Sequence, residues 1–287
     1  MSHQTSIKLS DGTTIPQLGF GVYKVDTKDA VDSVYHALKV GYRHIDTAEA
    51  YYNELEAAKA IKNWIEEDPV NHKREDIYFT TKISPKRISH SEAAASIKDR
   101  VAIVNPLIGY IDLVLLHAPM GSPEDRVGAY KALEEYKTAH PQAVRSFGVS
   151  NYGVKHIKEL LDSEPKFHPV VNQIELNPWL TRKEIVDYCE AHGIAMQAYS
   201  PLTRGIRVTH PEITALAKKY GKTNGQILIK WSLQHGFIPL AKSVTPSRIE
   251  ENFQVFDFEL SDEDFKALTH DDLYWVSHPN WDPSKLD

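Results

Sequence analysis

Short apolar runs alternate along the chain with longer segments of helical period. Eight runs have the length and composition of buried strands. They are Leu18–Val22, Arg43–Asp46, Ile77–Lys82, Ile111–His117, Val144–Val149, Val170–Ile174, Ala195–Ala198 and Phe237–Ala241. Each is followed by a predicted helix, over 28–40, 53–66, 91–104, 124–139, 153–162, 181–192, 211–234 and 246–255. Eight strand–helix repeats without a linker predict a (β/α)8 TIM barrel in a single domain, residues 1–287.

Details at the two ends of the chain and at the helix starts complete this prediction. Ile7–Leu9 and Thr13–Ile15 flank Asp11-Gly12, a strong hairpin signal, so we expect an N-terminal β-hairpin that caps the barrel. The C-terminal tail is expected to lie over the mouth of the barrel. N-caps are predicted at Thr27, Ser91 and Thr181.

Composition narrows the class of protein. The chain is 41% hydrophobic and 25% charged, which is ordinary globular usage and excludes disorder and collagen. The net charge of −6 is spread along the sequence, so no basic surface for nucleic acid is expected. Cys189 is the only cysteine, which excludes an internal disulfide and a thiolate metal site. No apolar run is long enough for a signal peptide or a membrane span. Together with the single cysteine, this favours a cytoplasmic location, and we also expect a monomer.

Four reactive side chains fall at the carboxyl ends of consecutive predicted strands, where barrel enzymes build their active sites. Asp46 ends strand two and Tyr51 follows it, Lys82 ends strand three, and His117 ends strand four. Because an isolated tyrosine has a pKa of about 10, we expect the Lys82 cation to lower the pKa of Tyr51. Asp46 would keep Lys82 protonated, and His117 would hydrogen-bond the same substrate oxygen. The set suits protonation of a carbonyl oxygen.

The motifs around these residues resemble those of the aldo-keto reductases, and the resemblance extends over nearly the whole chain. The segments are Gly41–Ala48 with Tyr51–Glu54, Phe79–Lys82, and Ile111–Pro119. The resemblance implies that Asp46, Tyr51, Lys82 and His117 form a catalytic tetrad with Tyr51 as proton donor. It also implies NADPH as cofactor and a small carbonyl compound as substrate.

Further segments resemble the family's cofactor-binding strands and loops. The implied residues at the nicotinamide and along the following loop are Ser150, Asn151, Gln173, Tyr199, Ser200 and Leu202. Those implied at the adenosine end are Lys242, Ser243, Arg248, Glu251 and Asn252. Lys242 and Arg248 suit a 2′-phosphate, Arg through bidentate geometry and Lys as a point charge. Gly19-Phe20-Gly21 lacks the third glycine of a Rossmann fingerprint, which fits the family.

The substrate pocket departs from the pattern of many relatives. Tyr23 and Ala118 stand where those relatives carry tryptophan, and the loops after His117 and Tyr199 are short. We expect a wide mouth with Tyr23, Ala118, Trp275 and Trp281 as its walls. These features are most similar to the fungal and bacterial reductases of ketones, keto esters and aldoses.

Two alternatives stay open at this stage. His44 and Asp46 lie on the same side of their predicted strand, as two metal ligands of a metal-dependent hydrolase would. Lys82 would repel a metal ion at this place, so no metal is expected. The second alternative is a catalytically weak NADPH-binding barrel that acts as a redox-sensing subunit. Turnover of NADPH with a carbonyl compound separates this class from an enzyme.

Overall fold

Eight parallel strands close into a barrel in the computed structural model, which describes residues 4–287. The barrel strands, numbered after a two-stranded hairpin, are β3 (Gly19–Gly21), β4 (His44–Asp46), β5 (Tyr78–Ile83), β6 (Ile111–Leu116), β7 (Val144–Ser150), β8 (Val171–Glu175), β9 (Ala195–Tyr199) and β10 (Ile238–Ala241). Each strand pairs with the next, and β10 pairs with β3. The predicted barrel is therefore confirmed.

Among residues 4–287, ten α-helices pack outside the barrel. They are α1 (Thr27–Val40), α2 (Glu54–Glu67), α3 (His90–Ile108), α4 (Pro123–Ala139), α5 (Val154–Asp162), α6 (Lys183–Ala191), α7 (Pro211–Tyr220), α8 (Asn224–Gln234), α9 (Pro246–Phe253) and α10 (Asp262–Ala267). Their apolar faces bury the outer side chains of the strands in one continuous core. Within residues 4–287 no helix is both long and apolar enough to span a bilayer.

Several local predictions were wrong. The single helix expected over 211–234 is two, because Gly221 ends α7 with a φ of 63° and Thr223 caps α8 by accepting from the Gln226 amide at 3.3 Å. The N-caps are Asp26, Ser89 and Arg182, not Thr27, Ser91 and Thr181. At α3 the reason is a capping box, since Ser89 and Glu92 each accept from the other's backbone amide. Helix α10 was not predicted.

The N-terminal hairpin closes the amino-terminal end of the barrel. Strands β1 (Ser6–Lys8) and β2 (Thr14–Pro16) pair with Ile7 opposite Ile15. Leu9 and Ile15 pack with interior residues of the barrel strands, such as Leu113 and Val171. The expected two-residue turn is instead a five-residue loop, in which Leu9 donates to the Thr13 carbonyl at 2.8 Å.

The C-terminal tail is fastened to the opposite end of the barrel through Arg182. This buried side chain donates to the Glu175 carbonyl at the end of β8, and to Tyr274, Asp282 and Ser284 of the tail at 2.7–2.9 Å. The tail backbone adds a bond from the Trp275 amide to the Trp179 carbonyl. The tail therefore lies across the loops at the carboxyl ends of the strands.

Candidate active site

The four strand-end residues predicted from the sequence meet at one point of the mouth. Asp46 is the last residue of β4, Lys82 lies near the end of β5, and His117 follows β6. Tyr51 belongs to a single 3-10 turn, Glu49–Tyr51, that brings the phenol back over the barrel. The Tyr51 hydroxyl lies 3.4 Å from Lys82 Nζ and 3.4 Å from His117 Nε2.

Lys82 is completely buried and has an acceptor for each of its three ammonium protons. Its Nζ donates to Asp46 Oδ1 at 2.6 Å, to the Thr47 carbonyl at 2.8 Å and to the Tyr51 hydroxyl at 3.4 Å. Burial lowers the pKa of Lys82, and the Asp46 charge opposes that shift. Burial likewise raises the pKa of Asp46 against the attraction of Lys82. The three contacts favour the ion pair, because only the ammonium form of Lys82 can donate to all three oxygens at once.

The expectation that Lys82 lowers the pKa of Tyr51 was wrong. Burial raises the pKa of Tyr51 well above its usual value, and the nearby Asp46 charge raises it further. The phenol therefore keeps its proton near neutral pH, as a proton donor must. The place for Lys82 in this chemistry is to stabilise the phenolate that remains after the proton has left.

His117 is neutral in this environment. Burial, followed by the Lys82 charge, holds the pKa of its imidazole well below 6.5. Its Nε2 faces the Tyr51 hydroxyl, and its Nδ1 has no hydrogen-bond partner among residues 4–287. A neutral ring can donate one hydrogen bond to a carbonyl oxygen without adding a second cation beside Lys82.

Sequence reasoning gave no role to three residues that hold the tetrad in place. Asn53 donates to the Val22 and Val25 carbonyls at 2.9 and 3.0 Å, which ties the loop after β3 to the Tyr51 turn. Glu49 accepts from the Ser84 amide at 2.8 Å, just beyond β5. Glu54 accepts hydrogen bonds from Thr81 and Arg100 beside Lys82. Asn53 and Glu54 lie inside the quoted motif, so the motif itself was the available signal.

Comparison with known proteins identifies the family. The model of the Aldo/keto reductase family matches residues 16–271. The chain belongs to this family. It is 44% identical to an uncharacterized oxidoreductase of Saccharomyces cerevisiae, over 93% of this chain and 94% of that one. It is 38% identical to the methylglyoxal reductase DkgA of Escherichia coli, again over 93% and 94%. The predicted resemblance to fungal and bacterial members is thus confirmed.

A solved structure extends the comparison to the cofactor. An aldo-keto reductase of Bombyx mori in complex with NADP superimposes with a TM-score of 0.84 at 32% identity, over 94% of this chain and 93% of that one. The neighbour's complex supports the cofactor predicted from the sequence. As a member of the family, this chain is an oxidoreductase that acts on carbonyl compounds.

The residues assigned to the nicotinamide lie together beside the tetrad. Ser150 donates to the Gln173 carbonyl, and Asn151 donates to the His117 carbonyl at 2.8 Å. The Tyr199 hydroxyl donates to Asn151 Oδ1 at 2.9 Å, which fixes the ring at the mouth. The Gln173 amide nitrogen donates to Asp46 Oδ2 and to Gln197 Oε1, both at 2.9 Å, so Gln173 also holds Asp46.

The residues assigned to the adenosine end lie further along the same rim. Lys242 and Arg248 are exposed, and within residues 4–287 neither has a carboxylate within 4 Å. A Cβ on Gly225 would lie 3.2 Å from Asn252 Oδ1 and 3.7 Å from Leu202 Cδ2, so the two halves of the assigned site meet there. The other assigned residues are positioned by local backbone structure. Ser200 has a left-handed φ of 51°. The Ser243 hydroxyl accepts from the Thr245 amide, and the Glu251 carbonyl accepts from the Gln254 amide. Two unpaired cations at this end fit a phosphate-bearing cofactor.

The residues assigned to the substrate pocket are less closely grouped. The Tyr23 ring lies 5.0 Å from the Tyr51 ring and is 43% exposed, so it does border the mouth. Ala118 is completely buried. Trp275 packs near Trp179, with a ring separation of 6.4 Å, and the Trp281 amide bonds the His278 carbonyl within the tail. The wall formed by Ala118, Trp275 and Trp281 stays a prediction.

The donor set at Asp46 argues against the metal-site alternative. One carboxylate oxygen accepts from Lys82 and the other from Gln173. His44 Nε2 lies 3.2 Å from the Thr80 hydroxyl, and burial lowers the pKa of His44 to about 3. Both carboxylate oxygens of Asp46 therefore already accept hydrogen bonds, one of them from Lys82.

Proposed function

We propose that this protein reduces aldehydes and ketones to alcohols with NADPH, and that Tyr51 supplies the proton. The observation that carries the proposal is the Tyr51 hydroxyl, 3.4 Å from both Lys82 Nζ and His117 Nε2 at the barrel mouth. Bound NADPH would supply a hydride to the carbonyl carbon. Family membership supports carbonyl chemistry, and the NADP complex of the Bombyx mori relative supports the cofactor.

The chain's own residues account for orientation and proton supply. His117 would donate a hydrogen bond to the carbonyl oxygen, which fixes its direction towards Tyr51. Tyr51 would transfer its proton to that oxygen as negative charge develops there. Lys82 then faces the new phenolate with an ammonium that Asp46 and the Thr47 carbonyl already orient. These partners are in place before the substrate arrives, so little reorganisation is needed.

The cofactor site would be formed by two groups of residues. Ser150, Asn151 and Gln173 would bind the carboxamide, and Tyr199 would stack on the nicotinamide ring. Lys242 and Arg248 would bind the 2′-phosphate, which makes NADPH the preferred cofactor over NADH. Ser200, Leu202, Ser243, Glu251 and Asn252 would complete the groove between these ends.

The proposed substrates are small ketones, keto esters and simple aldehydes, taken up through a mouth that Tyr23 borders. Cytoplasmic location, a monomeric state and the absence of a nucleic-acid partner remain predictions from the sequence. The rival function, a catalytically weak redox-sensing barrel, is not favoured, because all four residues of the tetrad are present and in mutual contact.

The test is the Tyr51→Phe variant, which removes the proton and keeps the ring. We expect kcat to fall by about 10²–10⁴, the usual contribution of a general acid, in an assay of NADPH absorbance with a small aldehyde. Binding of NADPH, followed by tryptophan fluorescence, should be unchanged.

Tyr52→Phe is the matched control, since Tyr52 is the next residue and is 83% exposed. It should keep parental turnover. Near-parental turnover by Tyr51→Phe would refute the assignment of the proton donor. Absence of carbonyl-dependent NADPH oxidation by the parent would refute the proposed function.

A further inference from the structure

The loop after β9 directs an arginine at the mouth. The Arg204 guanidinium carbon lies 5.6 Å from the centre of the Tyr23 ring, and that ring lies 5.0 Å from Tyr51. Its Nε donates to the Ser277 hydroxyl of the tail at 3.1 Å. Within residues 4–287 its two terminal nitrogens have no hydrogen-bond acceptor, and no carboxylate approaches it within 4 Å. Arg204 therefore has donors available for a ligand that enters the mouth.

The backbone that presents Arg204 is unusual for residues with a Cβ. Thr203 and Arg204 both adopt left-handed conformations, with φ values of 50° and 51°, and only the next residue, Gly205, adopts one easily. The Thr203 hydroxyl accepts from the Arg207 amide at 3.0 Å, and the Thr203 carbonyl accepts from the Ile206 amide at 3.0 Å. Strained backbone held in this way is typical of functional sites.

Charged groups of both signs lie around Arg204. Lys24 Nζ lies 5.5 Å from the centre of the same Tyr23 ring, so two cations flank Tyr23. Glu175 ends β8, and its Oε1 accepts from the Ser277 amide at 3.0 Å and from Asn177. Its buried Oε2 has no hydrogen-bond partner among residues 4–287. Burial raises the pKa of Glu175, and the charges of Arg182 and Arg204 oppose that shift. Asp282 is bound to Arg182 at 2.9 Å. No carboxylate oxygen among residues 4–287 lies within 4 Å of Arg204, so its terminal nitrogens stay available to a ligand even with the Glu175 charge in the neighbourhood.

We propose that Arg204 binds an anionic group of the substrate, so that the enzyme prefers aldehydes and ketones that carry a carboxylate a few bonds from the carbonyl. This inference rests on the proposed carbonyl reduction and specifies its substrate class. The centre of the Tyr23 ring lies 5.0 Å from that of Tyr51 and 5.6 Å from the Arg204 guanidinium carbon. A carbonyl oxygen at Tyr51 would therefore leave the rest of a short substrate beside the guanidinium.

The experiment compares two substrates of nearly the same shape, 4-carboxybenzaldehyde and methyl 4-formylbenzoate, which differ in charge. For the parent we expect a higher kcat/KM with the acid than with the ester. In Arg204→Gln the ratio of the two values should fall about tenfold, the effect of losing one charge-assisted contact at an exposed site. Arg204→Lys should recover part of the ratio, because it keeps the charge without the planar fork.

Lys218→Gln is the control for net charge, since Lys218 is an exposed residue of α7 away from the mouth. It should leave the ratio unchanged. The parental ratio should also fall as sodium chloride is raised from about 0.05 to 1 M, because the screening length shrinks from more than 10 Å to about 3 Å. The ratio in Arg204→Gln should not respond to salt.

Three results would overturn the inference. The first is an acid-to-ester ratio that Arg204→Gln leaves unchanged while both substrates are reduced. The second is a matched loss with both substrates together with weaker NADPH binding by fluorescence, which would assign Arg204 to a phosphate of the cofactor. The third is a ratio that falls equally in Lys218→Gln. If the parent reduces neither compound, the proposed function itself fails, and that outcome is distinct from these three.

Discussion

Removing the Lys82 ammonium should destabilise the barrel through the charge it leaves behind. Lys82 is completely buried, and its side chain is bonded to an Asp46 carboxylate that is itself 3% exposed. In Lys82→Met, Asp46 keeps one donor, the Gln173 amide at 2.9 Å. Breaking one partner of a buried ion pair costs about 3–5 kcal/mol of unfolding free energy, so we expect a loss of that size near neutral pH.

The loss should depend on pH, and its sign follows from the proton that Asp46 would take up. Without Lys82, burial raises the pKa of Asp46 in the folded state above its value in the unfolded chain. The folded state then binds the proton more tightly, so stability falls as pH rises above the unfolded pKa of about 4. The unfolding free energy of Lys82→Met should therefore be closer to that of the parent at pH 5 than at pH 8.

Urea unfolding followed by tryptophan fluorescence measures the unfolding free energy at each pH. The double variant Asp46→Asn/Lys82→Met is the matched control. The double variant buries no charge at this position and should be more stable than Lys82→Met at pH 8, with little pH dependence from the site. Neither variant should reduce carbonyl compounds at the parental rate. A Lys82→Met protein within about 1 kcal/mol of the parent at both pH values would show that the pair is not ionised, and the argument from its three acceptors would fail.

Three further predictions test separate parts of the structure. His44 has a pKa of about 3 in the folded state against 6.5 in the unfolded chain, so its contribution to stability is complete above pH 6.5 and is lost as pH falls towards 3. The unfolding free energy of His44→Gln, measured in urea, should therefore depend less on pH between 6.5 and 3 than that of the parent. An unchanged pH dependence would contradict this. Arg248→Ala should weaken NADPH binding about ten- to hundredfold and leave NADH binding nearly unchanged, as followed by fluorescence; equal weakening of both would mean that Arg248 does not bind the 2′-phosphate. Ala118→Trp should raise KM for a bulky keto ester far more than for a small aldehyde, whereas a parallel rise for both would remove Ala118 from the pocket wall.

The barrel could be predicted because the signal repeats eight times. Each strand is a short apolar run, and each is followed by a helix, so an error in one unit does not change the architecture. The helix break at Gly221 was missed, although the sequence carried its signal. Thr223 and Gln226 form a capping box, and Gly221 precedes it, but the apolar period continues through both α7 and α8 and conceals the break.

The positions of site residues at strand ends could be predicted from the sequence, whereas positions that depend on loop conformation could not. Asp46 and Lys82 are placed by the barrel itself, so their contact follows from the order of the strands. The pKa of Tyr51 could not be predicted, because its direction depends on burial that only packing produces. Arg204 was also missed as a mouth residue. Its position depends on two left-handed residues for which the sequence, Thr203-Arg204, gives no indication.

The anchoring of the tail by Arg182 has a consequence for hydrogen exchange. From Leu273 onwards the tail contains only one short 3-10 turn, Pro283–Lys285, and would ordinarily be expected to exchange its amides within seconds. Yet the Trp275 amide is held by Trp179 and the Ser277 amide by Glu175, while Arg182 binds three side chains of the segment. These two amides should therefore become labelled by deuterium together, through one cooperative opening that also releases Arg182. Arg182→Gln should speed labelling across the whole segment while the amides of β5 and β6 keep their protection.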